Sequence, residues 1–299
     1  MKKLILTVIF LFFSTSGYPS TGANLSFFGS NDTDETNILI TTLNLNYYPQ
    51  HAYFDLFGLS HSDIRINSKN FNYNGNREAF LLNLISPDRK NKLNFDLGVT
   101  FLNDNSTFTG NVELKRIIND NNALTLFFEN NIVDNEESIE GDLYYKSLSL
   151  NVDHEREKFF LSAIVGSTFF SNDNRRDFIK TKSGYSIWQE NGVYAYVRTY
   201  NYENSKPWQG FYFDPESYGR YLAGVQIRKI FLDGILAAHA DVGTQISDGD
   251  DKFSYSWHAD YRKNITQPLV LHIKLESNQF EPEYRYTSFF LNLTYFFDL

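Results

Sequence analysis

Residues 288 to 299 read SFFLNLTYFFDL. Phe289, Leu291, Leu293, Tyr295, Phe297 and Leu299 share one parity, and Ser288, Asn292, Thr294 and Asp298 share the other, with Phe290 and Phe296 as exceptions. Successive side chains of a strand point to opposite faces, so this segment is a strand with one apolar and one polar side. The same period recurs upstream. Phe253, Tyr255, Trp257, Ala259 and Tyr261 alternate with Ser254, Ser256, His258, Asp260 and Arg262. Leu269, Leu271, Ile273 and Leu275 oppose His272, Lys274 and Glu276, and Leu93, Phe95, Leu97, Val99 and Phe101 oppose Asn94, Asp96 and Thr100. Period 2 runs through the whole chain, which makes the fold all-β.

Composition fits strands that face lipid on one side and water on the other. The 299 residues include 28 Phe and 20 Tyr, one Met and no Cys, yet mean hydropathy is only -0.39. Interfacial girdles use aromatic residues, and apolar groups at every second position leave the average low. Without Cys there is neither a disulfide framework nor thiolate chemistry. At the N-terminus Lys2 and Lys3 precede the apolar run Leu4 to Phe13, followed by small and polar residues up to Ala23. That pattern predicts a signal peptide over 1–23, cleaved near Thr21-Gly22-Ala23 or slightly earlier, and a barrel over 24–299. The run is about half of what a bilayer-spanning helix needs, so an anchor is the weaker alternative.

Turn signals divide the chain into sixteen strands: 24–30, 37–48, 52–66, 77–86, 92–103, 108–117, 123–133, 142–153, 158–170, 177–188, 193–203, 218–230, 235–246, 252–263, 269–279 and 285–299. An even number suits a transmembrane antiparallel up-and-down β-barrel of the outer membrane with both ends in the periplasm. If the first strand fails, the count falls to fourteen. The links Tyr48-Pro49-Gln50, Gln189-Glu190-Asn191-Gly192, Leu232-Asp233-Gly234 and Thr266-Gln267-Pro268 are short and turn-like, and the alternate links are expected to be longer, polar and extracellular. A barrel of this size leaves a lumen unless something enters it.

Alternation turns Asn94, Asp96, Glu113, Lys115, Asp153, Lys180, Lys182, Gln226, Arg228, His239, Asp241, His258, Asp260, Arg262, His272, Lys274 and Glu276 inward. Most are explained by contact with water or by pairing across the wall. The eleventh strand differs, because Val193, Ala195 and Val197 outward put Tyr194, Tyr196, Arg198, Tyr200 and Tyr202 in the lumen. Rings can stack on the C–H faces of sugars while hydroxyls and a guanidinium bond their oxygens. An aromatic girdle or a loop anchor explains the same pattern. Asp241, His258, Asp260, Arg262 and Glu276 are further candidates for the substrate path.

Catalysis is not expected. His258 with Asp260 and His239 with Asp241 share faces at a spacing of two, whereas Asp153 and His154 point apart, and no serine motif accompanies any of them. The 6 His are scattered, so no metal and no cofactor is expected. Asp248-Gly249-Asp250-Asp251 reads as a hairpin tip rather than a calcium site. The net charge of -9 becomes -11 without Lys2 and Lys3 (36 acidic against 25 basic residues), which argues against nucleic acid and favours a neutral or partly cationic polymer over a polyanion. Acids in predicted outer loops, among them Asp32, Asp34, Glu35 and Glu137, suit lipopolysaccharide and its divalent ions.

Residues 166–230 carry a family resemblance. GSTFFSNDNRR (Gly166 to Arg176), the strand from Tyr194 to Tyr202, and GFYFDPESYGRY (Gly210 to Tyr221) are similar to the C-terminal barrel of exopolysaccharide export porins of poly-N-acetylglucosamine and cellulose secretion. The elements that match are Asp173-Asn174-Arg175 before one strand and Tyr212-Phe213-Asp214-Pro215-Glu216-Ser217-Tyr218 at the head of another. The first departs from the family's usual form, and the remaining chain matches in architecture only. The resemblance implies a sixteen-stranded conduit for exopolysaccharide, with Tyr212, Phe213, Asp214, Pro215 and Tyr218 shaping its outer mouth. A general diffusion porin for small solutes is the alternative, with an enzyme or a structural barrel behind it. The terminal strand also resembles the signal read by the barrel-assembly machinery, although it ends on Leu299 rather than an aromatic residue. The family's helical-repeat domain has no counterpart here, so the resemblance implies a separate periplasmic helical-repeat protein alongside a polysaccharide synthase.

Overall fold

The first strand, β1 (Ser20–Asp32), bonds to both its successor and the last strand, which closes the sheet into a barrel. The structure is a computed structural model and describes residues 20–49, 55–69, 71–102, 105–133, 135–279 and 284–297. In chain order the remaining strands are β2 (Asn37–Tyr48), β3 (Leu56–Asn67), β4 (Asn72–Ile85), β5 (Asn91–Leu102), β6 (Asn105–Asn119), β7 (Asn122–Ile132), β8 (Tyr144–Arg156), β9 (Phe159–Phe170), β10 (Arg175–Trp188), β11 (Val193–Asn204), β12 (Ser217–Phe231), β13 (Gly234–Ser247), β14 (Asp250–Asn264), β15 (Leu269–Gln279) and β16 (Arg285–Phe296). Each pairs antiparallel with its neighbours, and a short helix α1 (Glu136–Glu140) lies between β7 and β8.

All sixteen expected strands form, so the fourteen-strand alternative fails. The first begins at Ser20 rather than 24, because Ser20 pairs with Tyr48, and Gly22 with both Asn46 and Phe296. Of the expected signal peptide over 1–23, residues 1–19 lie outside the described residues and 20–23 belong to β1; the strand start expected at 52 also lies outside the described residues. Phe290 and Phe296, the exceptions to alternation, point inward. Phe290 lies against His272 (ring centroids 5.7 Å apart), and Phe296 packs with Tyr48 and Val270 in a small buried cluster.

The outward face is an apolar band, with Leu43, Leu59, Phe80, Phe101, Val165, Val197, Val225, Val242 and Phe289 all exposed. Such a band is unfavourable in water and favourable in hydrocarbon, so the barrel spans a bilayer. Among the described residues no helix is long and apolar enough to cross a membrane, which leaves the crossing to strands. On the outward face His61 Nδ1 lies 2.6 Å from Glu78 Oε1, between Leu43 and Val99 along the lateral row.

The two rims differ. One carries the ends of β1 and β16 and short links such as Gln189–Asn191, a 3-10 turn closed by Gly192 at φ 61, where a Cβ would collide with the Arg228 carbonyl. The opposite rim was expected to carry long links throughout. Two connections there are long, 133–143 and 205–216, whereas β13 and β14 are joined through Asp248 and Gly249 alone. Both residues have positive φ, 49 and 94, a tight turn whose twist matches that of the strands, so the hairpin-tip reading holds. The long connections fold over the mouth. Asn135 caps α1 by accepting from Ser138 N at 2.9 Å, and Ile139 of α1 packs inward on Ile66 and Leu102.

Candidate functional site

On β11, strict alternation with no bulge keeps Tyr194, Tyr196, Arg198, Tyr200 and Tyr202 on one inner face. Register places Lys182 beside Arg198, Lys180 beside Tyr200 and Phe178 beside Tyr202 from β10, and Tyr218 beside Tyr202 from β12. Gly184 and Gly224 flank Tyr196, and the ring of Phe160 fills the space over Gly184. Phe160 meets Tyr194 edge-on at 5.9 Å, Phe178 meets Tyr200 at 6.3 Å, and Tyr202 stacks on Tyr218 at 4.9 Å and 21°. The aromatic face therefore widens beyond one strand into a wall spanning β9 to β12. Phe160, Phe178 and the two lysines were not in the sequence-derived path. For Phe178 and the lysines the signal was the parity of β10, which becomes informative once that strand is paired with β11 through the turn at Gly192, and for Phe160 it was the parity of β9, which pairs with β10.

Arg198 and Asp241 belong to the wall itself. Tyr196 Oη donates to Asp241 Oδ2 at 2.5 Å, Arg198 Nη2 to Oδ1 at 3.0 Å, and Ser256 Oγ to Oδ1 at 2.9 Å. Arg198 Nε also lies 2.8 Å from Oδ2 as an ion-pair contact, with its N–H not aimed along a hydrogen bond. Tyr196 is 4% exposed and its hydroxyl is taken, so it offers the lumen little beyond a ring edge. The other path candidates stand apart from this wall on β14 and β15. Asp260 bonds not to His258 but to His272 Nε2, at 2.9 Å across the strand pair, while His258 lies against His239 at 5.2 Å. Arg262 faces His272 in register, and Glu276 accepts from Asn278. The same-strand His-Asp pairs considered from spacing thus do not form. Among the described residues no group of three or more acids and histidines could hold a metal.

The mouth elements come together. Tyr212 stacks on Phe170 at 4.3 Å and 21°, and its hydroxyl accepts from Asn174 Nδ2 at 2.9 Å. Asn174 Oδ1 accepts from Lys206 N at 2.9 Å and Ser205 Oγ at 3.2 Å. Arg176 bonds Phe213 O at 2.7 Å and Asn204 Oδ1 at 3.0 Å, and lies 4.1 Å over the Tyr202 ring. Asn204 Nδ2 reaches Pro215 O at 2.6 Å, Phe213 meets Tyr218 edge-on at 5.8 Å, and Asp214 Oδ2 accepts from Gln209 N at 3.0 Å. Ser138 Oγ donates to Phe211 O at 2.7 Å, joining the two long connections across the opening. Within the first element, Arg175 points outward and pairs with Asp177 at 2.8 Å, so Asn174 and the unforeseen Arg176 hold the loop. Beneath lies a cavity of about 1030 Å³, lined on one side by Arg176, Lys180 and Tyr200 and on the other by Asp32, Asp34 and Glu137.

Burial, then the neighbouring charges of Asp32 and Glu137, push the Asp34 carboxyl above its ordinary range. Burial also raises Asp214, although Gln209 N and the Arg176 guanidinium pull it the other way, and burial carries the Tyr212 hydroxyl up to about 12. Both carboxyls hold their protons more tightly in the closed mouth than in an open, hydrated one. Closure is thus fully favoured below the ordinary carboxylate value of 3.8 and loses that support as pH rises through the raised values. Channel conductance should fall as pH is lowered from neutral to about 4, and D34N should weaken the response. Conductance flat over that range would contradict this.

No family model matches the chain, and no curated protein matches it. Among solved structures it is similar to the "Bacterial polysaccharide outer membrane secretin" at 12% identity and TM-score 0.72, covering 91% of this chain and 97% of that one. The fold is that of outer-membrane barrels. It is also similar to CdiB from Acinetobacter baumannii, at 10% identity and TM-score 0.53, covering 92% of this chain and 60% of that one. OpdD from Pseudomonas aeruginosa gives 9% identity and TM-score 0.50, with 93% and 98% covered. Identities this low carry the architecture and leave the cargo to the geometry.

Proposed function

We propose that this barrel is an outer-membrane conduit for exopolysaccharide. The observation that carries the reading is a succession of inward rings along one wall: Phe160 against Tyr194, then, past Arg198, Phe178 with Tyr200 and Tyr202, and finally, bridged by the Arg176 guanidinium, Tyr212 on Phe170 under the mouth. Stacking on rings is tolerant of position, so a row of them lets a sugar chain slide while remaining wetted by the polar wall opposite. On this reading the residues ahead of Ser20 direct secretion, and the rim bearing both chain ends faces the periplasm. A separate periplasmic helical-repeat protein and a polysaccharide synthase supply the polymer. Lipopolysaccharide surrounds the outer rim, and the barrel-assembly machinery inserts the chain.

Single-channel recording in planar bilayers tests this with cello- or chito-oligosaccharides on one side. Dose-dependent block is expected. Y200A should weaken the block roughly fivefold, corresponding to about 1 kcal/mol of ring contact, and leave small-ion conductance unchanged or raised. Large steady currents indifferent to sugar would favour the diffusion-porin reading. Unchanged block in Y200A would remove the aromatic wall from the mechanism.

A further inference from the structure

Three cations on the aromatic wall form no direct ion pair among the described residues. Lys180 Nζ sits 4.6 Å from the Tyr200 ring centre and 5.1 Å from that of Phe178. Lys182 Nζ sits 4.2 Å from the Tyr196 ring centre and 2.7 Å from Gln226 Oε1. Arg176 holds only neutral oxygens and rings. The nearby acids are engaged elsewhere: Asp241 with Arg198, Tyr196 and Ser256, Glu129 with the Tyr145 hydroxyl at 2.7 Å, Asp177 with Arg175 on the outside, and Asp214, which feels the Arg176 charge without forming an ion pair, with Gln209 N.

A cation withdrawn from water onto ring faces recovers part of its lost hydration there, and a full partner is an anion. Lys180 and Lys182 alternate on one face at a separation of about 7 Å, as residues two apart on a strand do. They therefore offer repeated anion contacts along the route rather than a single site. Across the cavity Asp32, Asp34 and Glu137 carry the opposite sign. The resulting transverse field directs an acidic group toward the lysines. The acidic balance of the whole chain suggested a neutral or partly cationic polymer, but the charge that cargo on this wall would meet is positive.

Building on the conduit reading, we propose that the cargo is a carboxylated saccharide, one that presents its ring C–H faces to Phe178 and Tyr200 and its carboxylates to Lys180, Lys182 and Arg176. The test compares tetragalacturonate with cellotetraose on the purified full chain, by single-channel block and by calorimetric titration in detergent, so that a closed mouth still gives an answer. Tetragalacturonate should act at a concentration at least tenfold lower than cellotetraose, and K180Q/K182Q should bring the two sugars to within about twofold of each other. Heat-modifiable gel mobility verifies that the variant is folded. If cellotetraose binds and tetragalacturonate binds no better, or keeps its advantage in K180Q/K182Q, the carboxylate assignment is wrong and the conduit survives. Binding of neither sugar would overturn both.

Discussion

R198M is expected to lower the barrel's unfolding free energy by about 3 kcal/mol, and R198M/D241N to regain most of that loss. The asymmetry follows from burial. The Asp241 side chain is 0% exposed, and its carboxylate is satisfied by a guanidinium, a phenol and a serine hydroxyl that converge from β11 and β14. Removing Arg198 leaves an anion in the wall without a countercharge, which costs far more than the pair contributes when intact. Neutralising the acid as well removes the stranded charge, and the amide can still bond Tyr196 and Ser256. R175Q is the control: its pair with Asp177 is about half exposed on both sides and should matter by less than about 0.5 kcal/mol. Urea unfolding in detergent or lipid, followed by tryptophan fluorescence, reads all three variants. A loss below about 1 kcal/mol in R198M, or a double variant as unstable as the single, would mean that lumen water replaces the guanidinium.

The architecture was legible in the sequence because lipid and water impose opposite demands at each residue of a strand. Once Leu93 to Phe101, Phe253 to Tyr261 and Phe289 to Leu299 were seen to alternate, antiparallel pairing, even count and closure followed. The inner face of β11 was legible for the same reason. Partnership within the lumen was not. Parity states that Arg198 and Asp241 both look inward but carries no information on reach across β12, over which the guanidinium spans to Asp241 and Ser256. Spacing on one strand likewise suggested His258 with Asp260, whereas Asp260 bonds His272, its diagonal neighbour on β15, a cross-strand position that parity along one strand does not reveal. The inward fold of the 133–143 connection was invisible because its polar composition suits an exposed loop equally well, and for 205–216 the resemblance pointed to the mouth but not to the contacts that fix it. What holds them is a set of contacts distant in sequence, such as Ser138 with Phe211 and Arg176 with Phe213.

N174A should open the mouth without unfolding the barrel. Asn174 is 1% exposed and joins the β9–β10 turn to the 205–216 connection through Tyr212 Oη, Lys206 N and Ser205 Oγ. Alanine leaves the Lys206 amide and the Tyr212 hydroxyl without their partner, at a cost of about 2 kcal/mol, or roughly thirtyfold in the ratio of closed to open loop. The strand pairs that flank the turn, such as Arg175 with Phe169, use backbone groups the substitution does not touch. The unfolding midpoint should therefore stay close to that of the parent chain while mean conductance and flicker rise. R176A should act in the same direction, because it removes the bonds to Phe213 O and Asn204 Oδ1 and the cation over the Tyr202 ring. If both variants conduct like the parent, the connection does not limit passage, and the resistance of the channel lies deeper, at the level of Tyr196 and Lys182.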